Sequence, residues 1–258
     1  MKNFILLISM LVSLGFSACA QSEIDPAKEK ELTKGELATF QKWVAVGPGG
    51  LPHTLAGFRT LQALNARLKD PLDTRIIATR ISLGNDVSTL EILPPRQGER
   101  PTIAPFAIPH RQTDQHNSSV VREAQRSSID EIVSQNKGTV HYLKSYFEKH
   151  NDALFLIDSA SGNPDVVKVT HGEIGHMHPT DGSMHATLSP SDAKEVIEKG
   201  WGELHGLYGQ VFQGNDALSG TYMMIYSPRN EQELKITNQI INAAIMYNRN
   251  NILSAKPN

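Results

Sequence analysis

The segment from Ile174 to Leu188 constrains the fold more than any other part of the chain. Two runs with strand-like alternation, 166–178 and 183–188, flank Pro179-Thr180-Asp181-Gly182. An Asp-Gly pair between such runs marks a β-hairpin. Strand side chains alternate, so 174, 176 and 178 are expected on one face, and Glu173 has the opposite parity. A two-residue turn sets His178 opposite His185; a four-residue turn sets His176 there. Either register gathers His176, His178, Ser183 and His185 on one side of the hairpin. Met177, Met184, Ala186 and Leu188 fall on the other side, as a core requires.

Flanking signals extend the hairpin into a domain. Ser189-Pro190 opens a helix, with Ser as the cap, Pro at the first position and Gly200 as the stop. Strands follow near 203–208 and 221–226, and Pro228-Arg229-Asn230 turns into a last helix. The order β-β-α-β-β-α predicts an α+β fold with a mainly antiparallel sheet and flanking helices. The N-terminal half reads as helical: 36–46, then 54–69 with apolar residues at 55, 58, 61, 64 and 68, then 118–149 with a break near Asn136-Lys137-Gly138. Residues 72–93 mix helix and strand signals around Gly84-Asn85-Asp86. Five prolines between Pro94 and Pro109 make that stretch an extended loop. Strand character begins at Phe155, and Ser161 to Pro164 reads as a turn.

Phe4 to Phe16 is an apolar run behind Lys2, too short to cross a bilayer and suited to a signal peptide. Ala18-x-Ala20 fits ordinary signal cleavage. Ser17-Ala18-Cys19 resembles the lipobox of bacterial lipoproteins, and Cys19 is the single cysteine of the chain. The reading favoured here is an exported cell-envelope lipoprotein with residues 1–20 as signal, 21–36 as a polar tether and 37–250 as one domain; plain secretion is the alternative. The lipid would be the contact with the membrane. A net charge of −2 over 258 residues excludes the basic field expected of a nucleic-acid partner. One cysteine excludes disulfide frameworks and Cys-based metal sites.

Any metal must then rest on imidazoles and carboxylates. His176, His178 and His185 suit zinc with an open position, or iron in a two-His-one-carboxylate set with Glu173 or Asp181. The same rings can act without metal, as base, acid and oxyanion partner. The residues leave three functions open: a metal-free acid–base enzyme, a metal-dependent hydrolase or metal-binding module, and a non-enzymatic ligand-binding lipoprotein.

Ordered motifs add to this. Glu173-Ile174-x-His176-Met177-His178, His185, Lys199-Gly200-Trp201-Gly202-x-x-His205 and Tyr226-x-Pro228-Arg229-Asn230-Glu231 resemble the fungal luciferase (luciferase-domain) family. Arg96-x-Gly98-x-Arg100-Pro101, Arg111-Gln112 and residues 40–48 are similar to upstream segments of it. The resemblance implies oxidation of a small enolic or phenolic, hydroxypyrone-like substrate by O2 as co-substrate, without an organic cofactor. It implies a histidine-lined site of His176, His178 and His185, with His205 and Arg229 in support. Arg229 would pair with an enolate or carboxylate.

Overall fold

The computed structural model describes residues 32–82, 86, 88–213 and 216–249. The expected signal segment, residues 21–31 of the expected tether, and Gly84-Asn85 lie outside them. Order begins before residue 37. Thr33 caps helix α1 (Lys34–Ala45): its hydroxyl accepts from the Glu36 N–H, and the Glu36 carboxylate accepts from the Thr33 N–H at 2.9 Å. This reciprocal pair is a capping box, so the last residues of the expected tether belong to the fold. Helix α2 (Leu55–Asn65), capped by Thr54, ends before Leu68, which is exposed. Phe40, Trp43, Phe58, Leu61 and Leu64 from the two helices form one apolar cluster with Phe106 and Ile108. Trp43 ties it to the proline-rich loop by donating Nε1–H to the Ile108 carbonyl at 2.7 Å.

Within the mixed stretch 72–93, Arg75–Ser82 forms helix α3. Helix α4 (Ser119–Gln135) is capped by Ser118. The helical expectation fails beyond Asn136. Val140–Lys144 is strand β1, because it pairs along its length with β2 (Asp152–Leu156), and pairing overrides local propensity. The expected strand 166–178 splits. Pro164–Thr170 is helix α5, with Asn163 accepting from the Asp165 N–H and Pro164 at the first position. His171 and Gly172, both at positive φ, end the helix, and strand β3 (Glu173–Met177) follows.

The remaining elements are β4 (Met184–Thr187), α6 (Pro190–Glu198), β5 (Gly202–Leu204), β6 (Val211–Gln213), β7 (Asp216–Ala217), β8 (Tyr222–Ile225) and α7 (Glu231–Asn248). The expected strand 203–208 is therefore shorter; its chain turns away at His205. The main sheet has six antiparallel strands in the order β1-β2-β3-β4-β8-β5. The fold is α+β, as the element order predicts.

One sheet face packs Ile174, Met184, Ala186, Met223 and Ile225 against Ile129 and Ile132 of α4, Val196 of α6, and Ile240 and Ile245 of α7. Tyr222, Leu207 and Phe147 join the α1–α2 cluster instead. The histidines lie on this second side.

Candidate active site

The hairpin takes the four-residue turn. Met177 pairs with Met184, His176 with His185 and Gly175 with Ala186. The His178 N–H donates to the Ser183 carbonyl at 2.8 Å, closing the loop 179–182. The three rings meet in a near-equilateral triangle, with centroids 5.3 Å apart for His176–His178, 5.3 Å for His176–His185 and 5.0 Å for His178–His185. All three side chains are buried.

The alternation rule breaks at one residue. Against β2, Leu154 pairs with Gly175 but Phe155 pairs with Glu173, so Ile174 is an extra residue in β3. A bulge of this kind reverses the facing of whatever precedes it. Ile174 therefore joins the core, not the histidine face, and Glu173 arrives beside His176 despite its sequence parity. The His176 Nδ1–H donates to Glu173 Oε1 at 2.6 Å. Glu173 is in turn held by the Ser145 hydroxyl and the Tyr146 N–H.

Each of the other two rings also has a partner at Nδ1. His178 Nδ1 lies 2.8 Å from Ser183 Oγ, whose hydrogen goes to Asp181 Oδ1, so the ring is the donor. His185 Nδ1 lies 3.0 Å from the Met223 carbonyl, and its Nε2 lies 3.2 Å from the His110 carbonyl. A neutral imidazole carries one N–H, so only one of those contacts is a hydrogen bond. These tautomers are assigned from partners. Nε2 of His176 and of His178 is buried without a hydrogen-bond partner.

The carboxylates sort differently from the sequence reading. Glu173 and Asp181 stand behind the rings, on their Nδ1 side. The carboxylate that reaches the other side is Glu148, with Oε1 3.9 Å from His178 Nε2. Its Oε2 accepts from Arg111 Nη2 at 2.6 Å and from Asn151 at 3.2 Å. Arg111 is itself buried and also donates to the Pro48 carbonyl.

His205 joins the cluster, with its ring 5.7 Å from that of His185 and 4.8 Å from that of His110. Its Nδ1 accepts from the Leu207 N–H at 3.2 Å, and the Ala107 backbone takes a further hydrogen bond. Arg229 does not join. It pairs with Glu233 on α7 and donates to the Gln97 carbonyl at 2.6 Å. Sequence reasoning passes over His110, whose Nε2 lies 3.1 Å from Glu203. Glu203 also accepts from Tyr226 at 2.7 Å and from Arg100.

Burial holds His178 well below the ordinary imidazole range, helped by the Arg111 charge and the neighbouring rings. Burial, then His178 and His176, does the same to His185; burial and His110 do so to His205. These three rings are neutral at pH 7, and none titrates near neutrality as a histidine base would. Burial pushes Glu203 up, but the bonds from His110 and Tyr226 and the Arg100 charge outweigh it and leave the carboxyl below its usual value.

A cavity of about 30 Å³ opens at the cluster, lined by Gly50, His110, Glu148, His176, His185 and Tyr222 among others. A larger one of about 330 Å³ lies between α4 and β1–β3, beside Arg126 and Tyr142. His110, His176, His185 and His205 line the smaller cavity, which makes it the candidate site; His176 also borders the larger one.

Residues 171–244 match the Luciferase domain family. The chain is 31% identical over 220 residues to a luciferase of Armillaria ostoyae, covering 82% of this chain and 80% of that one. It is 30% identical, with the same coverage, to a luciferase of Neonothopanus nambi. No solved structure matches it.

Proposed function

The chain belongs to the family of the fungal luciferases, and we propose that it is an oxygenase that oxidises a small enolic or phenolic substrate with O2 at the buried histidine cluster. The observation that supports this most directly is the position of the cluster. His176, His178, His185 and His205 all fall inside the family segment 171–244; the first three cluster with ligand atoms within 4.8 Å of one another, and His176, His185 and His205 line one cavity with Glu148.

The roles follow from the electrostatics. O2 is the oxidant and the electron-rich substrate carbon the donor, once the substrate hydroxyl has lost its proton. The neutral rings of His178 and His185 are poor acceptors for that proton. Glu148, with Oε1 open to the rings, takes it, while Arg111 holds Glu148 in place. Arg229 is left to brace the start of α7. A cavity of about 30 Å³ holds one water or a diatomic gas, so a ring-sized substrate enters only when a wall such as the Gly50 segment yields.

Exported placement with Cys19 lipidated is proposed alongside, on the sequence of residues 1–20. The test of function is oxygen consumption with a panel of hydroxypyrones and catechols. Uptake by the wild type that falls at least a hundredfold in Glu148→Gln supports the reading. No uptake above that of the variant for any member of the panel sinks it.

A further inference from the structure

We propose that Nε2 of His176, His178 and His185 hold one divalent first-row transition-metal ion, with Glu148 Oε1 beside the open coordination positions. This deepens the oxygenase reading, because it concerns the same site, but it stands on separate observations.

The first is how the rings are held. An acceptor stands at Nδ1 of each ring: the Glu173 carboxylate, the Ser183 hydroxyl backed by Asp181, and the Met223 carbonyl, which at His185 competes with the His110 carbonyl at Nε2. Fixing the outer nitrogen selects the tautomer whose Nε2 carries a lone pair, as metal-ligating histidines require. Glu173 reaches this position only through the Ile174 bulge.

The second is what the inner nitrogens lack. Nε2 of His176 and His178 is buried with no partner. A buried polar atom left without a partner is destabilising, so an occupant that meets it is favoured. One nitrogen from each of the three rings lies within 4.8 Å of the others. Zinc-like bonds of about 2.05 Å at tetrahedral angles need roughly 3.3 Å between ligand atoms, a distance that small ring rotations supply. Neutral imidazole is the ligand that zinc, iron, cobalt and nickel share.

The third is contrast. His205 belongs to the same cluster, yet its bonds run to the backbone at Leu207 and Ala107. It is held as a structural residue; His176 and His178 are held with one nitrogen each to spare. A single water is the competing occupant of the space between them.

The protein is produced without a His-tag, purified without chelator and analysed for metal. It is then stripped with EDTA, checked by far-UV circular dichroism and titrated with Co²⁺. The expectation is one ion per chain, visible Co²⁺ bands and a melting temperature that rises with the ion. His176→Ala and His178→Ala each weaken Co²⁺ binding more than a hundredfold. Ser183→Ala, which unfixes His178 and removes the hydroxyl's bond to Asp181, weakens it about 10–100-fold. His141→Asn, on strand β1 outside the cluster, leaves it unchanged. A folded, stripped wild type that shows neither bands nor a melting shift with Co²⁺ or Zn²⁺ overturns the proposal and leaves a water in the space. The two readings fail separately. Stoichiometric metal without oxygen uptake removes the oxygenase and keeps the centre; oxygen uptake undiminished after EDTA removes the centre and keeps the oxygenase.

Discussion

Glu173 accepts a hydrogen bond from Nδ1 of His176 at 2.6 Å, although the two residues lie on opposite sides of a regular strand by count. The extra residue Ile174 makes the contact possible and pays for itself by entering the core. Glu173→Gln keeps the shape but replaces an acceptor that serves the Ser145 hydroxyl, the Tyr146 N–H and the His176 ring with one that has a single accepting oxygen. Urea unfolding of this variant is expected to show a loss of about 1–3 kcal/mol. An unchanged midpoint would mean that the carboxylate does not fix the ring.

The neighbouring glycine is tied to the same geometry. A Cβ on Gly175 would sit 2.4 Å from the His185 carbonyl oxygen and 3.2 Å from Cα of Ala186, both backbone atoms of the paired strand. Backbone cannot give way as a flexible side chain does, so β3 and β4 must separate. Gly175→Ala is expected to cost about 1–3 kcal/mol, as overpacking does. It also shifts His185 away from His176. Gly35→Ala is the control, because its Cβ meets nothing within 4 Å. Thermal melts of the two variants side by side check this.

Much of this architecture is legible in the sequence, and the failures have local causes. The hairpin, its core face and the helix after Ser189-Pro190 follow from alternation and capping. The capping box Thr33-x-x-Glu36 and the Asn163-Pro164 helix start are equally legible, yet each sits inside a stretch read as something else: a polar tether and a turn before an expected strand. Strand β1 is different, because only its pairing with β2 makes Val140–Lys144 extended. The three-imidazole face is legible from parity, but Glu173 is not, since a bulge leaves no signal in one sequence. Glu148 and His110 lie 25 or more positions from the hairpin and reach the site only through the tertiary fold.

Acid should weaken the fold through His205. Its ring is buried against His110 and His185 and held well below the ordinary range, whereas an unfolded histidine titrates near 6.5. Below about pH 6.5 the unfolded chain therefore binds a proton that the folded ring refuses, and stability falls as pH falls. Stability from this residue is fully present above that pH. The limiting slope for one such group is about 1.4 kcal/mol per pH unit. Urea unfolding of EDTA-treated protein between pH 7.5 and 5.5 measures it. His205→Asn should flatten the slope by up to one proton; an identical slope in the variant would show that His205 does not carry it.

The N-terminal segment makes an independent prediction. Cys19 ends a short apolar run and is the single cysteine of the chain, where a diacyl anchor would need it. The described fold starts at Leu32 and Thr33, with Leu32 packed on the α1–α2 cluster and Thr33 capping α1. Glu36 adds a bond across to Arg59 on α2. The capping and packing described at the start of α1 thus lie well after Cys19. Cys19→Ser is accordingly expected to move the protein from the membrane fraction to the soluble one and to leave the melting temperature of the domain unchanged. Intact mass of the membrane-extracted wild type is the deciding measurement. A mass beginning at a diacylated Cys19 supports the anchor, and a mass beginning at unmodified Gln21 replaces it with plain signal cleavage.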